Sequence, residues 1–289
     1  MKQRFDFFKL LQTTTKEWLK GKATTQAAAL SYYMIFSLAP LIIMAIEVSQ
    51  TIFEKGTARR ELVAQVEHLS GSQVAQLIDT FFKNPPPSKG WFPGILGGVI
   101  AIFGASGAFS QLQSAFNGIW EMETKPNHFF STIVLKRFLT FAMVLVIIFL
   151  LTASLFVSAV LSSFHHSLKG ASQGMEFFWS IGNEMISILF LGALFASMFK
   201  ILPDVRIPWK NVWIGAAISA FLFEIGKFLI GFYLGNSVVV SAYGAAGSVV
   251  LLLFWFFYSA QILLFGAQFT RVFAQYSGDP IIPKSYLKS

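Results

Sequence analysis

The chain contains no cysteine, and only 12% of its 289 residues are charged. Without a thiol there is no disulfide, no thiolate metal site and no cysteine nucleophile. Charge is nearly as scarce, since a soluble domain of ordinary composition is about one quarter charged. The four histidines (His68, His128, His165 and His166) all fall in connections between apolar runs, and no H-E-x-x-H or H-x-H-x-D-H spacing occurs. The adjacent His165 and His166 direct their side chains to different faces of any regular element. These absences argue against a metal hydrolase, and the chain is read as a non-enzyme with no metal and no cofactor. A G-x-x-x-x-G-K-[ST] phosphate loop is also missing, so the chain has no means of driving transport with ATP by itself. The start, MKQRFDFFKLLQTTTKEWLKGK, lacks the continuous apolar region and small-residue cleavage site of a secretory signal.

What is abundant is apolar: 55% of the residues are hydrophobic, with 33 Phe and seven Trp. A run of about 20 apolar residues crosses a hydrocarbon core of about 30 Å as a helix. Six such runs are expected, over residues 27–53, 91–119, 138–162, 177–199, 212–234 and 244–270. They are too long and continuous for barrel strands, so the fold class is all-α and polytopic. The connections that lie on the same side as the termini hold fifteen Lys and Arg, against six on the other side. That bias puts both termini in the cytoplasm. The formal charge of +8 is then matched to an anionic membrane surface, and nucleic acid is not expected as a partner.

The whole chain, 1–289, is read as one six-span membrane domain with two amphipathic additions. Residues 1–22 set Phe5, Phe8, Leu11, Trp18 and Leu19 among lysines, which suits a helix on the cytoplasmic leaflet ended by Gly21. Residues 54–90 read as a periplasmic helical hairpin. Leu62, Val66 and Leu69, then Val74, Leu77, Ile78 and Phe81, recur at helical spacing, divided by Ser70-Gly71-Ser72 and closed by three prolines. The hairpin either packs over the bundle or covers a lipid-accessible groove.

Polar residues inside the spans are the candidate site. Glu224 lies near the middle of the fifth span, where a charge costs roughly 2.5–3.5 kcal/mol on insertion scales. Lys227 is three residues on, on the same helix face, and can pair with it. Gly231 and Gly235 continue the stripe as a G-x-x-x-G, which serves either internal packing or a homo-oligomer. Ser106, Ser110, Gln113 and Asn117 form a seam on the second span that ends at Glu121. Tyr258, Gln261, Phe265 and Gln268 do the same on the sixth, with Arg271 one turn further. Asn183 and Glu184 lie near the start of the fourth, and Pro40 kinks the first. Each seam alone fits helix packing; together they fit a shared polar cavity.

Four phrases carry a resemblance: AAALSYYMIFSLAPL (27–41), GAFSQLQSAFNGIWEME (107–123), FKILPDVRIPWKNVWIGA (199–216) and YGAAGSVVLLLFWFFYSAQILLFGAQFTRVFA (243–274). They resemble the YihY/BrkB family of bacterial inner-membrane proteins over nearly the whole chain. The resemblance implies six spans with both termini inside and a place in the cell envelope. Pro40, Asn117, Trp120, Pro203, Tyr243, Gly244, Gln261, Gly266 and Arg271 match its motifs. The family label ribonuclease BN does not fit residues that offer no metal-ligand cluster and no soluble surface for RNA.

Three functions are compatible with these residues. The leading one is an ATP-independent, flippase-like translocator of an envelope lipid or other amphiphile. Glu224 and Lys227 would then contact the headgroup or a coupled proton, and Arg271 and Lys200 would gather phosphates at the cytoplasmic mouth. The second is a non-transporting scaffold that binds an envelope partner. The third is a proton-coupled small-solute transporter working through Glu224 or Glu184.

Overall fold

The computed structural model describes residues 6–36, 59–60, 63–64, 66–67, 72–83, 107–121, 146, 149–150, 153, 173–235, 247–279 and 281–283. These residues are helical almost throughout. Helix α1 spans Phe7–Lys20, α2 residues 23–36, α3 Ser72–Lys83, α4 residues 107–119, α5 Gln173–Ile201, α6 Trp209–Gly235 and α7 Gly247–Ser277. The only described strands are two-residue pieces, β1 at Val205–Arg206 and β2 at Ile282–Pro283, paired antiparallel.

Local chemistry sets the helix ends. The Asp6 carboxylate accepts the Lys9 amide at 3.2 Å and so caps α1. Gly21 leaves the helical conformation while its N–H still donates to the Glu17 carbonyl. Helix α7 closes on Gly278 at φ +70, with the Gly278 amide donating to Gln275 and the Asp279 amide to Ala274. That pair of bonds is a Schellman cap, which needs the left-handed conformation glycine adopts without strain.

Three described stretches are long and apolar enough to cross a membrane: Glu184–Ile201, Trp209–Ile230 and Val249–Ser277. They fall on the fourth, fifth and sixth expected spans. The start of the first is helical in α2 and the end of the second in α4. Their remainders, most of the third span, Pro40, Tyr243, Gly244 and the four histidines lie outside the described residues.

The chain forms two compact units. The first comprises residues 1–21, 115–222 and 263–289, and the second residues 22–114 and 223–262. Helices α6 and α7 contribute to both. In the first unit the two helices meet through small residues. A Cβ on Gly215 would collide with Thr270 Oγ1, and one on Gly266 with Ser219 Oγ. Gly215-x-x-x-Ser219 thus faces Gly266-x-x-x-Thr270, and each hydroxyl is satisfied by its own helix, donating to the carbonyl four residues back. Phe199 packs edge-on against Phe116 beside this contact. Leu10 of α1 is buried against Phe269, Val272 and Phe273.

The second unit repeats the device once. A Cβ on Gly226 would collide with the Tyr258 hydroxyl. Around it, Val74 and Ile78 of α3 pack with Ile230, Leu252 and Trp255. Val74 and Ile78 of the apolar stripe in residues 72–83 therefore have protein partners. Asp79 on α3 takes both Arg59, at 2.5 Å, and Lys83, at 2.9 Å. The Lys83 hydrogen bond, then that of Arg59, holds the Asp79 carboxyl below the usual carboxylate range.

Candidate functional site

The connection between α5 and α6, residues 202–208, is tied to distant parts of the first unit. Asn117, near the end of α4, exchanges two hydrogen bonds with Asp204. Its amide nitrogen donates to Asp204 Oδ2 at 2.8 Å, and its oxygen accepts the Asp204 backbone N–H at 3.0 Å. Asp204 is wholly buried and Asn117 nearly so. A buried carboxylate without donors would cost several kcal/mol, so this reciprocal pair fixes the loop against α4.

Two cations complete the arrangement. Arg271 donates to the Ile119 carbonyl at 2.6 Å, closing the C-terminal end of α4, and pairs with Glu121 at 2.6 Å. Its side chain is 11% exposed and that of Glu121 71%. Glu121 itself has φ 53, a left-handed conformation uncommon for a residue other than glycine. Lys200, in the last turn of α5, donates to the Ile207 carbonyl and lies 5.3 Å from the Trp209 ring centre. Past the connection, Asn211 donates to Asp279 at 2.9 Å, while β1 pairs with β2. The carboxylate of Asp279 lies at the first turn of α6, where the helix dipole favours a negative charge. Asn211 Oδ1 and Trp120 Nε1 are buried without a hydrogen-bond partner.

The second unit holds the other group. Glu224 and Lys227 form an ion pair on α6, with side chains 18% and 20% exposed. They occupy one flank of the helix. Gly226 and Ile230 on one side are buried, whereas Phe221, Ile225, Phe228 and Leu229 on the other are exposed. Tyr258 packs its hydroxyl over Gly226, and on the same helix Ser259 Oγ and Gln261 Oε1 are buried without a partner. The pair thus stands at the border between protein and the apolar face.

The expected residues divide between these groups. Asn117, Arg271 and the buried Gln268 belong to the first unit. Glu184, exposed on α5, belongs there too, as does Asn183, whose side chain is outside the described set. Ser110, which is exposed, and the half-buried Gln113 and Gln261 belong to the second unit with Glu224 and Lys227. The seam along residues 106–121 is therefore split between units. Sequence reasoning missed Asp204, Asn211 and Asp279. For Asp204 and Asn211 the available signal was the stretch LPDVRIPWKN, with Asp, Arg, Lys and Asn in an otherwise apolar context; Asp279 lies in the separate stretch YSGDP. Among the described residues, no three His, Asp or Glu side chains come together as a metal site.

Three helices long and apolar enough to cross a membrane define an integral membrane protein of helical type. Comparison places it further. The family described as Virulence factor BrkB matches residues 14–285, and the chain belongs to that family. Over 289 residues it is 23% identical to a UPF0761 membrane protein of Psychrobacter sp. (strain PRwf-1), covering 98% of this chain and 52% of the relative. A UPF0761 membrane protein of Teredinibacter turnerae is 27% identical over 259 residues, covering 87% of this chain and 57% of the relative. One from Glaesserella parasuis serovar 5 is 28% identical over 229 residues, covering 76% and 75%. The chain spans about half the length of the first two of these curated relatives. No solved structure matches it.

Proposed function

We propose that the protein is an ATP-independent, flippase-like translocator of an envelope lipid or similar amphiphile in the bacterial inner membrane. In this reading it has six spans and both termini in the cytoplasm. The observation that carries it is the position of Glu224 and Lys227 inside the candidate span Trp209–Ile230, on the flank of the exposed apolar face. An amphiphile crossing beside that flank keeps its chains in lipid and meets a charged pair with its headgroup. Both signs are present, so phosphate and amine headgroups each find a partner. The ion pair reduces the cost of holding these charges at depth without an amphiphile bound.

Gln261 and Ser259, with buried unpartnered oxygens on α7, would extend the polar track. Arg271 and Lys200 support the reading less directly, because both are held by internal carbonyls. That engagement is also what favours the rival, a non-transporting scaffold whose polar groups serve packing. The test is leaflet exchange of labelled phospholipid in vesicles carrying the purified protein, with and without a pH gradient. Exchange above protein-free vesicles, lost in Glu224→Gln with Lys227→Met at equal protein level, supports translocation through the pair. Exchange indifferent to both substitutions removes the site, and none at all returns the scaffold.

A further inference from the structure

At 100° per residue the fourteen positions of α1 sort into three stripes. Leu10 and Thr14, with Trp18 beside them, face the protein. Leu10 and Thr14 are buried, and Trp18 meets Phe265 edge-on at 6.1 Å. A second stripe, running through Phe8, Leu11, Thr15 and Leu19, faces away from it. Phe8 is 85% exposed and Leu19 67%, and an open hollow of about 660 Å³ lies along Phe8, Leu11 and Thr15. The third stripe is Lys9, Lys16 and Lys20, within about 40° of one another and adjoining the exposed apolar stripe. Among the described residues none of these lysines is in an ion pair. Of the two acidic residues near α1, Glu17 lies on the other side of the basic stripe, and Asp6, which also lines the hollow, is occupied as the helix cap.

We propose that this face of α1 is a binding surface for the acidic phospholipid headgroups of the bilayer itself. Adjacent apolar and basic stripes match the boundary between acyl chains and headgroups. The first, docked stripe sets the helix against Phe269, Val272 and Phe273, near the end of the candidate span Val249–Ser277. An ordinary interfacial helix finds its depth by partition; this one is held at the end of a span by packing. Its lysines then face the headgroup layer permanently, and each favours an acidic over a neutral surface by about fivefold. The inference rests on the membrane class of the protein and is independent of translocation.

The absence of native cysteine makes the test direct. Thr15→Cys, on the apolar stripe between Phe8 and Leu19, carries a fluorophore, with Thr13→Cys as a control off that stripe. The full chain is placed in vesicles holding equal fractions of nitroxide-bearing phosphatidylglycerol or nitroxide-bearing phosphatidylcholine. The label at position 15 should be quenched by both lipids, several-fold more by the phosphatidylglycerol, and the label at position 13, beyond the basic stripe, less by each. The preference should fall towards unity in Lys9→Gln/Lys16→Gln/Lys20→Gln and in high salt. Equal quenching by the two lipids overturns the proposal. So does a label that neither lipid reaches, and one shielded from lipid and aqueous iodide alike assigns the stripe to a second copy of the chain.

Discussion

In the first unit, hydrogen-bonded polar partners come from far apart in sequence: Asn117 and Asp204 are 87 residues apart, Arg271 and Ile119 152, and Asn211 and Asp279 68. In the second, Glu224 and Lys227 are three apart on one helix. Long-range bonds form only when the tertiary structure does, and they hold it in return. A local pair forms whenever its helix does and adds little to the assembly. The first unit's knot therefore reads as a fastener of the loop between α5 and α6, and the second unit's pair is the group to which the proposed function assigns the headgroup.

The comparison is most severely tested where helices touch. Gly215→Val and Gly266→Val should each collapse the first unit, because the new side chains meet Thr270, Ser219 and, for Gly215, the Gly266 carbonyl at 3.1 Å. A penalty beyond the roughly 1–3 kcal/mol usual for overpacking is expected, read as loss of monodisperse protein after detergent extraction. Next in size, Asn117→Ala should cost about 1–3 kcal/mol by removing the amide donor from the buried Asp204 carboxylate. The temperature of half-aggregation in detergent should fall, while Ser110→Ala at an exposed position leaves it unchanged.

Smaller still are the effects on the pair. Lys227→Met removes the ammonium that pairs with Glu224 and should destabilise, and adding Glu224→Gln should restore most of the loss. A thermal double-mutant cycle with coupling of about 0.5–3 kcal/mol is the expected outcome. Full additivity would mean that the two charges do not share an environment. The smallest effect belongs to Asp79. Its carboxyl is held below its ordinary range when folded, so its contribution is complete at neutral pH and above the unfolded value. It is lost only as pH falls through the depressed folded value, below about pH 4. Asp79→Asn should therefore flatten the acid limb of a stability–pH curve and leave the limb near neutrality unaltered.

How much of this was legible follows the same division. The fourth to sixth spans were readable because membrane crossing is a composition property of a contiguous run, and the described helices carry it where expected. Glu224 and Lys227 stood out because nothing else in their stretch is charged. Asp204 and Asp279 did not, since each lies in a connection where carboxylates are ordinary and its partner is distant. Gly215-x-x-x-Ser219 was hidden for another reason: small residues leave hydropathy nearly flat, so the face they create is visible only against Gly266 and Thr270.

The account stands on the pair being a working site and the knot a fastener, and leaflet exchange per folded molecule separates them. Purified wild type, Asn117→Ala and Glu224→Gln/Lys227→Met would be compared in phospholipid vesicles at matched amounts of folded protein. The account predicts that the paired variant keeps its thermal stability and loses exchange, while Asn117→Ala loses stability and keeps exchange. Exchange that survives in the paired variant and disappears with Asn117 would contradict it, placing the activity in the first unit.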